Sequence, residues 1–596
     1  MSDHGHDSAH EHWHDHTQPH SHPHSDEHIE SSPVHIEAID LSVPDSELSP
    51  RGLNRRRFLR NTGLLGAGAA AASVFATAGP AAADEPGTSN RDRENCAGYM
   101  WLSGDHHIHT QYSSDAQYMV SDQVRHASQN NLDWMVITDH GSVAHAKLGV
   151  DKVNPDIKAA RKSFPDTLVF QGLEWNIPAA EHGTVFVAPG PNEVSVLKQF
   201  ENSYDGTVNK TGASTPANEA IALSGLAYLI QAVRQRKISD ALMLANHPSR
   251  KGIDSPHEIR NWRDQGGGIA IGFEGAPGHQ AAGIKAPGPS GGRGAYDFSP
   301  SPDSFAGYPM ESYRTYGGFD FMTSTVGGLW DSLLAEGKPW WITANSDSHM
   351  VYADWSKNPV GNVADAPWDA AGDTFNNFGR YGNPVYAGGI QTGNSDFWPG
   401  YYSRTHVGTT KFDYASVMAG LRAGRVWVSH GDLISALDMR ISVKGRSNPG
   451  TTLGGQVQVR EGDTVELSIT IKLADTANFA QFTPKLNKVD LIVGDVLGPV
   501  SDRDAFTTPN TKVVKSWDTS TATGSVRLTY DFKKVDRPFY VRLRGSDGNR
   551  TAPGYLGASV DPSGPAIDVV GDADPWADLW FYSNPIFVLT PTRQGR

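Results

Sequence analysis

The chain has a single cysteine, Cys96, among 596 residues. No disulfide can form within it, and a metal cage built from several thiolates is excluded with it. Long hydrophobic runs are missing too. The one mild apolar stretch, Gly63 to Ala78, is short and rich in Ala and Gly, which makes it a poor bilayer span. Positive charge is scarce: 51 Lys and Arg face 66 Asp and Glu, a formal net charge of -15. That balance argues against nucleic acid or an anionic membrane as a partner. It leaves phosphate-bearing substrates open, because bound cations reverse the local field. With 38% hydrophobic residues and 15 Trp, the chain still has the material for a large core.

What is present changes character along the chain. Residues 1–50 carry 11 of the 24 histidines amid Pro, Ser, Asp and Glu, a composition that stays disordered. Asn54-Arg55-Arg56-Arg57-Phe58-Leu59-Arg60 follows, then the mild apolar stretch, then Ala81-Ala82-Ala83 before Asp84. Order and spacing resemble a twin-arginine export signal over residues 51–83. The expectation is a secreted or cell-envelope protein, exported by the twin-arginine machinery, with no membrane span in the mature chain. The histidine-rich tail is then lost with the signal and is not counted among the metal ligands.

From Trp101 to about Val428, short apolar strands alternate with helical stretches, the rhythm of an α/β domain over residues 101–436. Helices are expected over Asp122–Gln129 (capped by Ser121), Leu226–Gln235 and Leu329–Ala335. Strands are expected over Trp134–Thr138, Thr167–Gln171, Thr184–Ala188, Ala241–Ala245, Gly268–Phe273 and Trp340–Ala344. Polar residues at strand ends suggest a barrel with its site on one rim. Two long stretches, 276–318 and 352–404, interrupt the pattern and are candidates to overhang that rim. After Ile434 the texture becomes alternating: Leu437–Val443, Thr464–Ile471, Lys488–Val493, Ser525–Tyr530 and Phe539–Leu543 read as strands of an antiparallel, sandwich-like domain over 437–596. Trp580–Tyr582 and Ile586–Leu589 read as a final strand docking on its core.

The chemistry sits at the strand ends. Asp105-His106-His107-Ile108-His109-Thr110 opens a series that continues through Asp115, Thr138-Asp139-His140-Gly141, Glu174, His182, Asn246-His247-Pro248 and Ser346-Asp347-Ser348-His349. His107 and His109, two apart on a strand, share a face. Neutral imidazole and carboxylate suit Zn, Mn or Fe alike. A lone His pair is more often a hydrogen-bonded core pair; nine ligand-type residues spread over about 240 residues, each just past an apolar run, form a set.

These motifs resemble the polymerase and histidinol phosphatase (PHP) superfamily of metallo-phosphoesterases over roughly residues 101–350. The resemblance implies a distorted (β/α)7 barrel with two to three divalent metal ions in a rim cleft. His107, His109, Glu174 and Asp347 would hold the first ion. Glu174 would bridge to a second held by His182 and His247, and Asp115, His140 and His349 would hold a third. His257 and His279 are rivals for the place of His182. Arg250 matches the family's phosphate-gripping cation, and the resemblance implies His182 and His247 as further catalytic candidates. Glu274, Asp105 and Asp139 are expected to orient ligand histidines, and Arg404 and His406 are candidates to reach the site from the second long loop. The implied activity is hydrolysis of phosphate mono- or diesters by a metal-activated hydroxide. Asn394–Gly400 and Gly424–Asp432 also look like a secreted subgroup that includes carbamate-hydrolase-like enzymes, so a carboxylic or carbamic ester hydrolase is the second reading. A non-catalytic cell-surface binding protein is the third.

Overall fold

The computed structural model describes residues 95–96, 98–278, 296, 300–351, 355–357, 380, 384–386, 396–446, 449–569 and 574–590. The expected tail, the export signal, His279 and Asn394 lie outside them. Seven strands make the first half: β1 (Tyr99–Asp105), β2 (Trp134–Ile137), β3 (Leu168–Asn176), β4 (His182–Val187), β5 (Ala241–Ala245), β6 (Ala270–Pro277) and β7 (Trp341–Asn345). Helices separate most of them: α1 (Val120–Gln129), α2 (Val150–Ser163), α3 (Glu193–Tyr204), α4 (Pro216–Arg234), α5 (Pro256–Gln265) and α6 (Leu329–Ala335). The strands pair in sequence order, parallel except that β4 runs antiparallel to both β3 and β5. The ring closes just beyond β1 and β7, where His109 N donates to Ser348 O at 2.9 Å. Asp105 pins that seam, accepting from His107 N at 3.1 Å and Ser346 N at 3.0 Å.

Local chemistry explains the elements. β2, β5 and β7 are buried along their whole length, as strands covered on both faces must be. α5 opens on a capping box: Ser255 Oγ accepts from Glu258 N and the Glu258 carboxylate accepts from Ser255 N, with Pro256 at the first helical position. α4 starts at Pro216, ten residues before the expected Leu226, because Thr215 caps it and Pro216 is preset for a first turn. α1 starts at Val120, with Met119 rather than Ser121 at its cap.

The second half continues the same sheet. β8 (Ser403–Thr409) pairs with β1, α7 (Tyr414–Arg422) follows, and β9 (Val426–His430) pairs with β8. A second sheet of β10 (Ile434–Val443), β11 (Val465–Leu473) and β14 (Ser525–Phe532) faces the extension formed by β12 (Lys488–Asp495), β13 (Lys512–Asp518), β15 (Phe539–Ser546), β16 (Trp580–Ser583) and β17 (Ile586–Leu589). Leu437, Met439, Ile441, Leu467, Ile469, Leu491, Val541 and Phe581 fill the space between. The α/β half is thus followed by a β-rich domain, joined to it through hydrogen-bonded strands.

His126, in the last turn of α1, lies flat on Trp398 with ring centroids 3.6 Å apart. Burial, and then the Arg125 charge, push its pKa down from 6.5 to about 4. Between those values the unfolded chain takes up a proton that the folded chain refuses, so stability falls as pH drops through that window. His126→Phe keeps the stack and should flatten that part of the thermal midpoint against pH curve; an unchanged acid limb would refute the assignment.

Candidate metal centre

The strand ends on one rim carry the site. His107 and His109 follow β1, His140 follows β2, Glu174 lies near the end of β3, and His182 opens the antiparallel β4. His247 follows β5, and Asp347 and His349 follow β7. Because β4 is reversed, its first residue stands at the rim where the other strands end. His247 and Asp347 have positive φ, +28° and +47°. Such backbone is strained for residues with a Cβ and persists where the surroundings over-determine it.

Glu174 is the hub. Its Oε1 stands 3.1 Å from His107 Nε2, 2.9 Å from His182 Nδ1 and 3.2 Å from His247 Nε2. Its Oε2 stands 2.7 Å from His140 Nδ1 and 3.4 Å from His109 Nε2. Asp347 Oδ1 lies 3.1 Å from His107 Nε2 and 3.3 Å from His109 Nε2. On the outer side, Asp115 Oδ2 is 3.0 Å from His140 Nε2 and 3.7 Å from His349 Nε2. Burial opposes charge on Glu174, yet the imidazoles of His182, His107 and His140 hold its carboxyl well below the ordinary range.

Four overlapping groups have ligand atoms close enough to share an ion: His107, His109 and Asp347; His109, Asp115, His140 and His349; His140, Glu174 and His182; and Glu181, His182 and His247. The structure brings all nine candidates into one cleft and adds Glu181. His182 stands in that cleft; its rival His257 is hydrogen-bonded at 2.6 Å to Asp504 instead.

The donor set fits divalent cations. His107 Nδ1 donates to Glu274 Oε1 at 2.7 Å. Ser113 Oγ gives its proton to Asp139 Oδ1 at 2.8 Å, so it accepts from His109 Nδ1 at 3.0 Å. With both Nδ1 atoms donating, the two Nε2 atoms stand 3.0 Å apart, and the neutral tautomers would turn their lone pairs toward each other. His107, His109, Asp347 and Glu174 would hold a cation there, and its charge would satisfy that arrangement.

The supporting residues divide by what they touch. Glu274 holds the ring of His107 and accepts from His247 N at 2.6 Å, and burial pushes its pKa up to about 7. Asp139 acts on His109 through Ser113, and on Thr110 N at 2.7 Å. Asp105 is different from expectation: it holds backbone at the barrel seam and no imidazole, because its carboxylate points between the chain turns after β1 and β7. The first long loop was expected to start at residue 276, but β6 runs on to Pro277 and carries Glu274 within it.

Arg404 and His406 are built into the framework. Arg404 donates to the carbonyls of Gly400 and Asn130, both at 2.9 Å, and His406 stacks on Trp427 with centroids 3.6 Å apart. From the second loop it is Asp396 that touches the centre, accepting from His349 N at 2.6 Å and Met350 N at 2.5 Å. Nothing in its loop sequence marked it. Glu181 had a signal, since it precedes His182 directly. It is buried and forms an ion pair with Arg250, and Lys251 Nζ lies 3.3 Å from the same oxygen. Burial works against its charge, but Arg250, His182 and His247 hold its pKa low. Arg250 therefore sits at the edge of the cleft with Glu181 as its partner.

Residues 105–228 match the family model described as PHP domain, so the chain contains a PHP domain. No curated protein matches the chain. Among solved structures it is similar to a two-domain protein from Bacteroides vulgatus described as containing a predicted PHP-like metal-dependent phosphoesterase. The two are 14% identical, the match covers 77% of this chain and 95% of that one, and the TM-score is 0.32.

Proposed function

We propose that this chain is an exported, metal-dependent phosphoesterase that hydrolyses phosphate mono- or diesters at a centre of two to three divalent ions, Zn, Mn or Fe. The observation that carries the reading is the convergence of ten nitrogen and oxygen ligand residues on one rim of a PHP-type barrel. In this reading His107, His109, Glu174 and Asp347 hold one ion, Glu174, His182 and His247 a second, and Asp115, His140 and His349 a third. Ions bound there would supply Lewis acidity and a water acidified toward neutral pH. Glu274 and Ser113 fix the tautomers of the ligand imidazoles, so their lone pairs face inward before substrate arrives. Arg250 presents a planar fork suited to a phosphoryl oxygen, and Glu181 holds that fork at the cleft edge.

The test is a substrate panel run on protein recovered from outside the producing cell, expected to begin at Asp84 and loaded with Mn or Zn. Aryl phosphate monoesters and diesters are assayed beside aryl esters and aryl carbamates. Phosphate ester turnover well above that of the carbonyl substrates is expected. A strong preference for the carbonyl substrates would replace this reading with the carboxylic or carbamic ester hydrolase. A metal-replete protein inert on every class would leave a binding protein.

A further inference from the structure

The opposite end of the barrel holds a cavity of about 680 Å³. Its walls come from the start of β1 (Tyr99), the start of β7 (Trp341), the end of α7 (Arg422), Arg425 and the Gly450–Gln456 loop of the β-rich domain. Trp341 lies six residues before Asp347 and Tyr99 eight before His107. The strand rise alone places this cavity roughly 20 Å from the metal centre.

Three arginines line it, and its lining contains no Asp or Glu. That is notable in a chain with a formal net charge of -15. Two of the three charges are committed. Arg422 forks onto Asp240, and Arg440 donates to Asp438 at 3.0 Å and to Pro449 O at 3.2 Å. Arg425 is different. Its Nε donates to Gly408 O at 3.0 Å, and its guanidinium carbon lies 5.1 Å from the centroid of the Tyr99 ring. No ion pair or hydrogen bond engages its two terminal nitrogens among the described residues. A guanidinium anchored through Nε and backed by an aromatic face is a preformed, flat, two-pronged donor. Thr410, Thr451, Thr452 and Gln456 add hydroxyl and amide groups around it. The volume lies within the range of pockets for small organic ligands.

We propose that this cavity is a second ligand site, separate from the metal centre, for a small organic anion whose phosphate, phosphonate or carboxylate group docks on the free edge of Arg425. Phenylphosphonate is the probe, since its anion cannot be hydrolysed as an ester and its ring matches a pocket of this size; phenol and benzoate are the neutral and carboxylate comparisons. Calorimetric titration of the full metal-loaded chain should show a binding class that survives Asp347→Ala and weakens at least about tenfold in Arg425→Gln. Arg425→Lys, which keeps the charge but loses the fork, should fall between. Thermal unfolding of each variant reports whether it is folded. Should Arg425→Gln misfold, the comparison of Arg425→Lys with the parent decides. Equal binding by phenol, isotherms that superimpose on the parent's when Arg425 is changed, or loss of every binding class in Asp347→Ala would each overturn the site.

Discussion

Asp347→Ala should leave the purified protein short of at least one metal equivalent and cut ester hydrolysis by on the order of 1000-fold or more. Asp347 is buried, and its Oδ1 lies as near His107 Nε2 as Glu174 does, at 3.1 Å, and nearer His109 Nε2, at 3.3 Å against 3.4 Å. Without it, a cation held by His107 and His109 would have only the Glu174 carboxylate beside it. Asp347→Asn separates charge from shape: it keeps the volume and loses most of the metal affinity if the carboxylate's charge is what matters. Glu274→Gln gives the graded comparison. It still accepts through its amide oxygen but no longer presents a carboxylate to His107 Nδ1, so a smaller loss of metal affinity, about 10- to 100-fold, is expected. Metal content by elemental analysis and initial rates are the measurements. Full metal content and an undiminished rate in Asp347→Ala would sink the proposed centre.

The strained backbone at His247 and Asp347 bears on the same point. Both residues sit two positions past a strand, where the positive φ takes the backbone out of its extended run. Gly141, the last residue of the Thr-Asp-His-Gly motif, answers a similar demand: a Cβ there would lie 2.2 Å from an Asp205 oxygen. That carboxylate accepts from Asn176 N and caps the turn after α3 through Thr207 N and Val208 N. The motif glycine is thus explained by packing around the ligand loop rather than by chemistry at the ligand itself.

How much could be read beforehand follows from what each segment buries. Ala241–Ala245 and Leu329–Ala335 are legible to the residue, because apolar runs bounded by polar or turn residues leave little choice of limits, whereas the single final strand expected over Trp580–Tyr582 and Ile586–Leu589 is two, β16 and β17. The apolar pattern of β3 stops at Gln171 and its expected end is Glu174, but the strand runs to Asn176. Gln171 and Glu174 break its apolar pattern while remaining buried, one held by Asn154 and Val150, the other by the imidazoles. A polar residue turned into the core for a purpose looks, in sequence, like the end of a strand, and Glu274 in β6 shows the same thing. β13 escaped notice because it lies at the end of the sheet path and is largely exposed, so it carries little hydrophobic signal. The ligand residues were legible because their identities repeat a dense motif. Asp396 was not, since its role depends on how a long loop returns to His349.

The largest stability effect is expected far from the ligands, where α6 meets β15. Asp331 accepts from Arg542 Nε at 2.9 Å and Nη2 at 2.8 Å, from Tyr540 OH at 3.0 Å and from Gly327 N at 2.7 Å. Both charged side chains are fully buried, and the Arg542 guanidinium lies 4.5 Å from the Trp330 ring centroid. Arg542→Ala leaves the Asp331 carboxylate buried without a counter-charge and opens a hole against Trp330, so a loss of about 3–5 kcal/mol is expected. Arg542→Met combined with Asp331→Leu removes both charges and refills much of the space; it should recover most of that loss, less the penalty of leaving Gly327 N without its acceptor, while Tyr540 OH keeps Thr511 Oγ1 at 3.1 Å. Urea unfolding of the three variants measures this. If Arg542→Ala costs under about 1 kcal/mol, the pair does not tie the barrel to the β-rich domain. If it costs several while the double variant approaches the parent, the cost lies in the stranded charge. α6 leads directly into β7, which delivers Asp347 and His349 to the rim, so the same interface that joins the two halves also anchors the last strand of the metal centre.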